Sequence, residues 1–206
     1  MNVSRSLPVA VVLVCLLGCG GKIERIDIAI PSQSTGASVS DHAFEIVRVT
    51  VLPFEDRRVN QVHLGYRSHL WGGLSVFKSS SADITEATAR ALVDFLIRQG
   101  WQASLASTVA SDGADVTITG SLEELSIDAT SGFMHTDLFA KNTLMLYAKN
   151  HSDGSIVSTH ILGKGSDQVF WFEPKDAQAL TTELFEKNFQ KFLGDIRLEG
   201  RTIRLR

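Results

Sequence analysis

ADVTITGSLEELSI, residues 114–127, changes phase in its middle. Val116, Ile118, Gly120 and Leu122 alternate with Thr117, Thr119 and Ser121, the period of two that places one set of side chains on one face of a strand. After Glu123-Glu124 the apolar set moves to Leu125 and Ile127. One extra residue at that point, a β-bulge, returns both halves to the same buried face. Neighbouring strand residues point to opposite faces, so Glu123 and Glu124 cannot converge on one substrate as acid and base without that bulge.

Working outward, EIVRVTVLPF (45–54) is a second half-buried strand. Val47, Val49 and Val51 face one way, Arg48 and Thr50 the other, and Pro53 ends the ladder. A helix follows at Asp83, which is a suitable N-cap with Glu86 three residues later. Ala87, Ala91, Leu92, Phe95 and Leu96 form its apolar stripe, and Arg98 and Gly100 close it. Trp101, Ala103 and Leu105 share one face of a returning strand. Leu144, Leu146 and Ala148 point inward from a strand over 138–149. A turn at 150–155 leads to a partner strand over 156–165. Pro174 opens a second helix whose stripe is Leu180, Leu184, Phe185, Phe189 and Phe192.

The order strand, helix, strands, helix predicts an α+β fold: a mixed or mostly antiparallel sheet with two helices packed on one face. Residues 44–195 make one domain of a size that a single core supports. Residues 55–82 read as a long irregular loop after the first strand, with Leu74 to Lys78 its clearest strand candidate. Residues 196–206 read as a basic C-terminal tail in which Ile196 and Leu198 can pair as an edge strand.

The amino terminus has a different character. Arg5 precedes a twelve-residue run from Leu7 to Gly18 holding four Val and four Leu. A membrane-spanning helix needs about 20 apolar residues, so this length suits a signal peptide. Leu16-Leu17-Gly18-Cys19 resembles the lipobox of bacterial lipoproteins. That resemblance implies cleavage between Gly18 and Cys19, lipid on the Cys19 thiol and acylation of the new amino terminus. One acyl chain binds a membrane reversibly, and two or more bind it durably. Gly20, by resemblance to enterobacterial sorting, favours the outer membrane. Cys15 falls in the leader, so the mature chain keeps Cys19 as its one cysteine and the core must hold the fold without a disulfide. Residues 19–43 read as a flexible tether, with Ile26, Ile28 and Ile30 alternating as in a short edge strand.

Composition is ordinary for a globular protein, 44% apolar and 21% charged. Net charge is −3, and one unit more negative once Arg5 is removed. A mildly acidic exported domain is a poor nucleic-acid binder, since phosphate contacts need a basic face.

VTVLPFEDRR (49–58), Leu64-Gly65, LIRQGW (96–101) and ADVTITGSLEELSI together resemble YajG-like bacterial lipoproteins. More distantly they resemble small envelope lipoproteins with a TolB-N-like α/β fold. The resemblance covers roughly residues 45–193. It implies an anchored periplasmic domain that binds other envelope components, with covalent lipid in place of a cofactor and no catalytic residues to carry over. The segment from Val169 to Phe172 departs from the family pattern.

Candidate partner-contact residues come from two places. Glu55, Asp56, Arg57 and Arg58 are the densest charge cluster, and arginine forks grip carboxylates or phosphates; local ion pairing on a solvated loop is the blander reading. Phe170, Trp171 and Phe172 are consecutive, so on a strand they cannot all face one core, and Trp71 can join them. The histidines are scattered, with His63 and His69 six apart, which does not suit a zinc site. GKGS at 163–166 lacks the spacing of a phosphate loop. These features predict a non-enzymatic, membrane-anchored lipoprotein of the cell envelope with a protein partner. The alternative is a periplasmic carrier of lipid or another apolar ligand, with the phenylalanine-rich helix lining its cavity. A hydrolase would need a convergent polar site in the 55–82 loop.

Overall fold

The structure, a computed structural model, describes residues 24–28, 47–107 and 113–206. The leader, Cys19 and most of the tether lie outside the described residues. The described residues form a nine-stranded curled mixed sheet, a two-stranded hairpin and two helices, the α+β architecture expected.

Strand β7 (Val116–Gly132) is the spine. On one side it pairs along its whole length with β8 (His135–Asn150), antiparallel, and β8 pairs in turn with β9 (Ile156–Val169). The register of β7 with β8 shifts between Leu122 and Glu124, so the bulge lies where the phase change predicts it. Leu122, Leu125 and Ile127 are all buried.

Three short parallel strands share the other side of β7. They are β2 (Arg48–Val51) beside residues 116–118, β3 (Glu55–Asp56) beside 121–122, and β4 (Gly65–Ser68) beside 129–130. Strand β6 (Gln102–Leu105) extends the sheet from β2. Strand β5 (Leu74–Ser79) returns antiparallel to β4, and β1 (Glu24–Ile28) adds parallel to β5.

Segment 55–82 therefore contains three strands, a correction to its reading as an irregular loop. Its alternation is hidden because β4 is Gly-Tyr-Arg-Ser. Gly65 stands where a Cβ would collide with the Ile127 carbonyl, at a φ of 148°. Glycine lets the two backbones approach there.

Both helices lie on one face of the sheet. The Asp83 N-cap of helix α1 (Ile84–Arg98) forms as predicted: Asp83 Oδ1 accepts from Thr85 N at 2.8 Å and Glu86 N at 3.1 Å, while the Glu86 carboxylate pairs with Arg90 at 2.7 Å instead of completing a capping box. Helix α2 (Pro174–Asp195) rests on β8 and β9 and reaches β1. Phe189 is sandwiched between Phe95 of α1 (5.5 Å between ring centroids) and Phe185 (5.9 Å). Arg98 Nη2 donates to Glu186 Oε1 at 2.9 Å across the helix pair. Burying side chains of this size stabilises by roughly 1.5–3 kcal/mol each, set against chain entropy.

The carboxy-terminal residues form a hairpin, β10 (Ile196–Glu199) with β11 (Thr202–Leu205). Ile196 and Ile203 are buried. The Asn150 amide bonds both the carbonyl (3.0 Å) and the N–H (2.8 Å) of Ile203. The segment read as a tail is thus part of the folded body.

Candidate functional site

The residues singled out by the sequence divide between two places about 25 Å apart along β7, given 3.3 Å per strand residue. The first is the charge cluster on β3. Arg57 is exposed and pairs with Glu55 at 2.7 Å. Arg58 is buried; its Nε and Nη2 donate to Asp56 Oδ1 and Oδ2 at 2.9 and 2.8 Å. These bonds hold the Asp56 carboxyl below the usual carboxylate range, against the opposing effect of burial. Asp56 and Arg58 border a cleft of about 490 Å³ with Gln61, His63, Lys78 and Asp83. Its carboxylates are committed, Asp56 to Arg58 and Asp83 to the first turn of α1. Arg58, expected as a contact residue, faces inward and serves the fold.

The second place is one end of the sheet, where three connections converge. The registers establish this: Ser68 lies opposite Thr130, Gly132 opposite His135, and Thr136 opposite Val169. All three strand ends therefore face the same way.

The first connection is the β4–β5 turn. Gly72 and Gly73, at φ 87° and 98°, return the chain tightly. His69 N bonds Gly73 O at 3.2 Å, and the His69 ring bonds Ser75 Oγ at 2.7 Å. Leu70, Trp71 and Leu74 are left outside, with Trp71 93% exposed.

The second connection is the β7–β8 turn, whose two central residues are Phe133 and Met134, 75% and 59% exposed. Two-residue hairpin turns favour Asn, Asp and Gly. Met134 is instead held at φ 63°, a conformation costing an ordinary residue roughly 1–2 kcal/mol.

The third connection leads from β9 to α2. Phe170 and Trp171 are 68% and 78% exposed, whereas Phe172 is 7% exposed. The three aromatics lie beyond the end of β9, and the chain turns so that only Phe172 points inward. Its ring lies 6.0 Å from Phe77, and the Arg67 guanidinium sits 4.3 Å above it. Arg67 Nε also donates to Ser131 Oγ at 3.1 Å. Arg67 thereby joins β4, β7 and the β9–α2 connection.

The structure brings Trp71, Phe170 and Trp171 to one end, withdraws Phe172 from the surface, and leaves Arg57 elsewhere. Sequence reasoning missed Phe133 and Met134. The available signal was a large apolar pair standing alone between two strands where turn residues belong.

The other polar residues that the sequence singled out have local surroundings of their own. Glu123 is the bulged residue, 3.6 Å from His160, and Glu124 lies 3.5 Å from Thr143. His63 bonds the Tyr66 hydroxyl at 2.6 Å. His135 lies 3.5 Å from Asp137. Gly163 faces a buried amide pair in which Asn188 donates to Asn142, so the GKGS glycine serves close packing. The phenylalanines of α2 fill the core between helix and sheet. Among the described residues, no helix is long and apolar enough to cross a membrane.

No family model matches the chain. No curated protein matches it. Among solved structures, it is similar to a Xanthomonas campestris protein of the family described as DUF330, with 11% identity and a TM-score of 0.53 over 82% of this chain and 92% of that one. That likeness supports the fold. Two further structures have lower TM-scores. An uncharacterized protein has 8% identity and a TM-score of 0.43, covering 83% of this chain and 97% of that one. Lipoprotein GNA1162 from Neisseria meningitidis has 10% identity and a TM-score of 0.37, covering 68% and 96%.

Proposed function

We propose that the chain is a lipid-anchored protein of the bacterial cell envelope, held by Cys19 and acting by binding rather than by catalysis. The observation that carries this reading is Leu16-Leu17-Gly18-Cys19 at the end of a twelve-residue apolar run. The architecture agrees with it. The first described strand begins at Glu24, five residues past the cysteine, so the folded body would hang directly from the anchor.

The domain then sits on the periplasmic side of the outer membrane, the membrane that Gly20 favours. Its contact surface is the tip where Trp71, Phe133 and Trp171 stand exposed. The carrier reading has less support, because the phenylalanine stripe of α2 is packed against Phe95 and the sheet. The YajG-like resemblance supports an envelope role and names no partner.

Metabolic labelling with a radioactive fatty acid tests the anchor. Wild-type protein takes up label and fractionates with membranes; Cys19→Ala does neither. Unlabelled wild type refutes the reading.

A further inference from the structure

We infer that the apolar tip is a membrane-contact surface, seated in the headgroup region of the same bilayer that holds the Cys19 lipid. This rests on the anchor reading above and adds an orientation to it.

Three observations converge. First, the tip gathers exposed large apolar side chains from three separate connections: Leu70 and Trp71, Phe133 and Met134, Phe170 and Trp171. Single exposed apolar residues are ordinary, whereas a gathering at one end marks a protein or membrane contact. Second, the strained β7–β8 turn holds a large apolar pair where glycine or asparagine would stabilise the fold better. Third, the chain enters the fold at this same end. β1 runs parallel to β5 with Glu24 opposite Ser75, next to the tip residue Leu74, and both strands lead away from the tip.

The third observation selects the occupant. Glu24 lies five positions past Cys19, and a fully extended chain spans at most about 3.6 Å per residue. Cys19 therefore lies within about 18 Å of the start of β1. A lipid there holds the tip-side end of the domain, rather than the β2 end, against the bilayer. The β2 end lies about 50 Å away along β7. Trp suits the boundary between headgroups and hydrocarbon, where its amphipathic ring meets both phases, and Phe and Leu suit the apolar side buried just below it. A protein partner would have to compete for this surface with a membrane that is tethered beside it.

The three tryptophans provide a built-in test. Trp71 and Trp171 are at the tip. Trp101 precedes β6, whose first residue Gln102 pairs with Arg48 at the opposite end. Native lipidated protein is purified from membranes and reconstituted into phosphatidylcholine vesicles carrying bromine at carbons 6 and 7 of one acyl chain. Bromine quenches only indoles at the bilayer boundary. The proposal expects quenching in wild type and in Trp101→Phe. It expects at least a fivefold loss of quenching in Trp71→Phe/Trp171→Phe, both largely exposed positions where phenylalanine leaves the fold unchanged.

Vesicle flotation and the mass of the amino-terminal peptide are measured on the same samples. If the protein floats, carries lipid on Cys19 and shows no tip-dependent quenching, the orientation is wrong and the anchor stands. If Cys19 is unmodified and the protein does not float, the anchor reading fails and the orientation falls with it. Unquenched tryptophans together with cross-linking between copies through a cysteine placed at 171 would assign the tip to a second copy and overturn the proposal.

Discussion

Trp171→Ala and Phe172→Ala change adjacent aromatic residues and should have very unequal effects in lipid-free solution. Phe172 is 7% exposed, 6.0 Å from the Phe77 ring, with the Arg67 guanidinium 4.3 Å from its centroid. Removing a buried phenylalanine costs roughly 3–5 kcal/mol, a range whose upper half suits a ring that also carries a guanidinium, a contact worth about 0.5–1 kcal/mol even at exposed sites. A loss of about 4 kcal/mol is expected. With a urea dependence of about 2 kcal/mol per molar, the unfolding midpoint falls by about 2 M. Trp171 is larger but 78% exposed. Its removal should stay within about 0.5 kcal/mol, a midpoint change of roughly 0.25 M. Urea titration followed by far-ultraviolet circular dichroism reads both. A Trp171→Ala midpoint shift as large as that of Phe172→Ala would refute the reasoning, because the tip would then be part of the core and not a surface kept for contact.

Further outcomes follow from other parts of the fold. Gly163→Ala should cost about 1–3 kcal/mol in urea unfolding, since a Cβ there would stand 2.5 Å from Asn142 Oδ1 and 2.6 Å from Asn188 Oδ1. Asp83→Ala removes the acceptor for Thr85 N and Glu86 N and should cost about 1 kcal/mol, read by thermal melting. Asp56, Asp83, Asp115 and Asp153 all have carboxyls held below their ordinary value in the fold. Depressed carboxylates contribute stability that is present above their unfolded value of about 3.9 and lost as pH falls through the folded one. Urea midpoints should therefore hold from pH 7 to about 5 and drop below about 4. Asp153 is lowered to about 2 by its bonds from Ser155 and Arg204, and Asp153→Asn should flatten the part of that curve near that pH.

The strongest periodicities carried the reading of the sheet and helices. The β7 bulge was legible because a single phase shift moved Leu125 and Ile127 out of step with Leu122. The caps of α1 and the stripes of both helices were legible for the same reason, since buried faces impose spacing. Strands β3 and β4 were not, because Glu55-Asp56 and Gly65-Tyr66-Arg67-Ser68 carry little apolar alternation. They are held by pairing with β7, a long-range fact that local pattern does not encode. The contact candidates fared unevenly. Trp71 and Trp171 were visible as bulky residues without an obvious core position, and the tip keeps them outside. Phe172 was indistinguishable from its neighbours until the direction of the chain after β9 was known. Arg58 looked like a surface fork because a charge gives no sign in sequence that a neighbouring carboxylate will hold it down in a buried position.

The central claim is a lipid at Cys19, and intact mass spectrometry of the protein extracted from membranes, with sequencing of its amino-terminal peptide, tests it most directly. The account predicts a chain that begins at Cys19 and carries a diacylglyceryl thioether and an acylated amino group. A chain that retains residues 1–18, or one that begins at Cys19 with a free thiol, would contradict it.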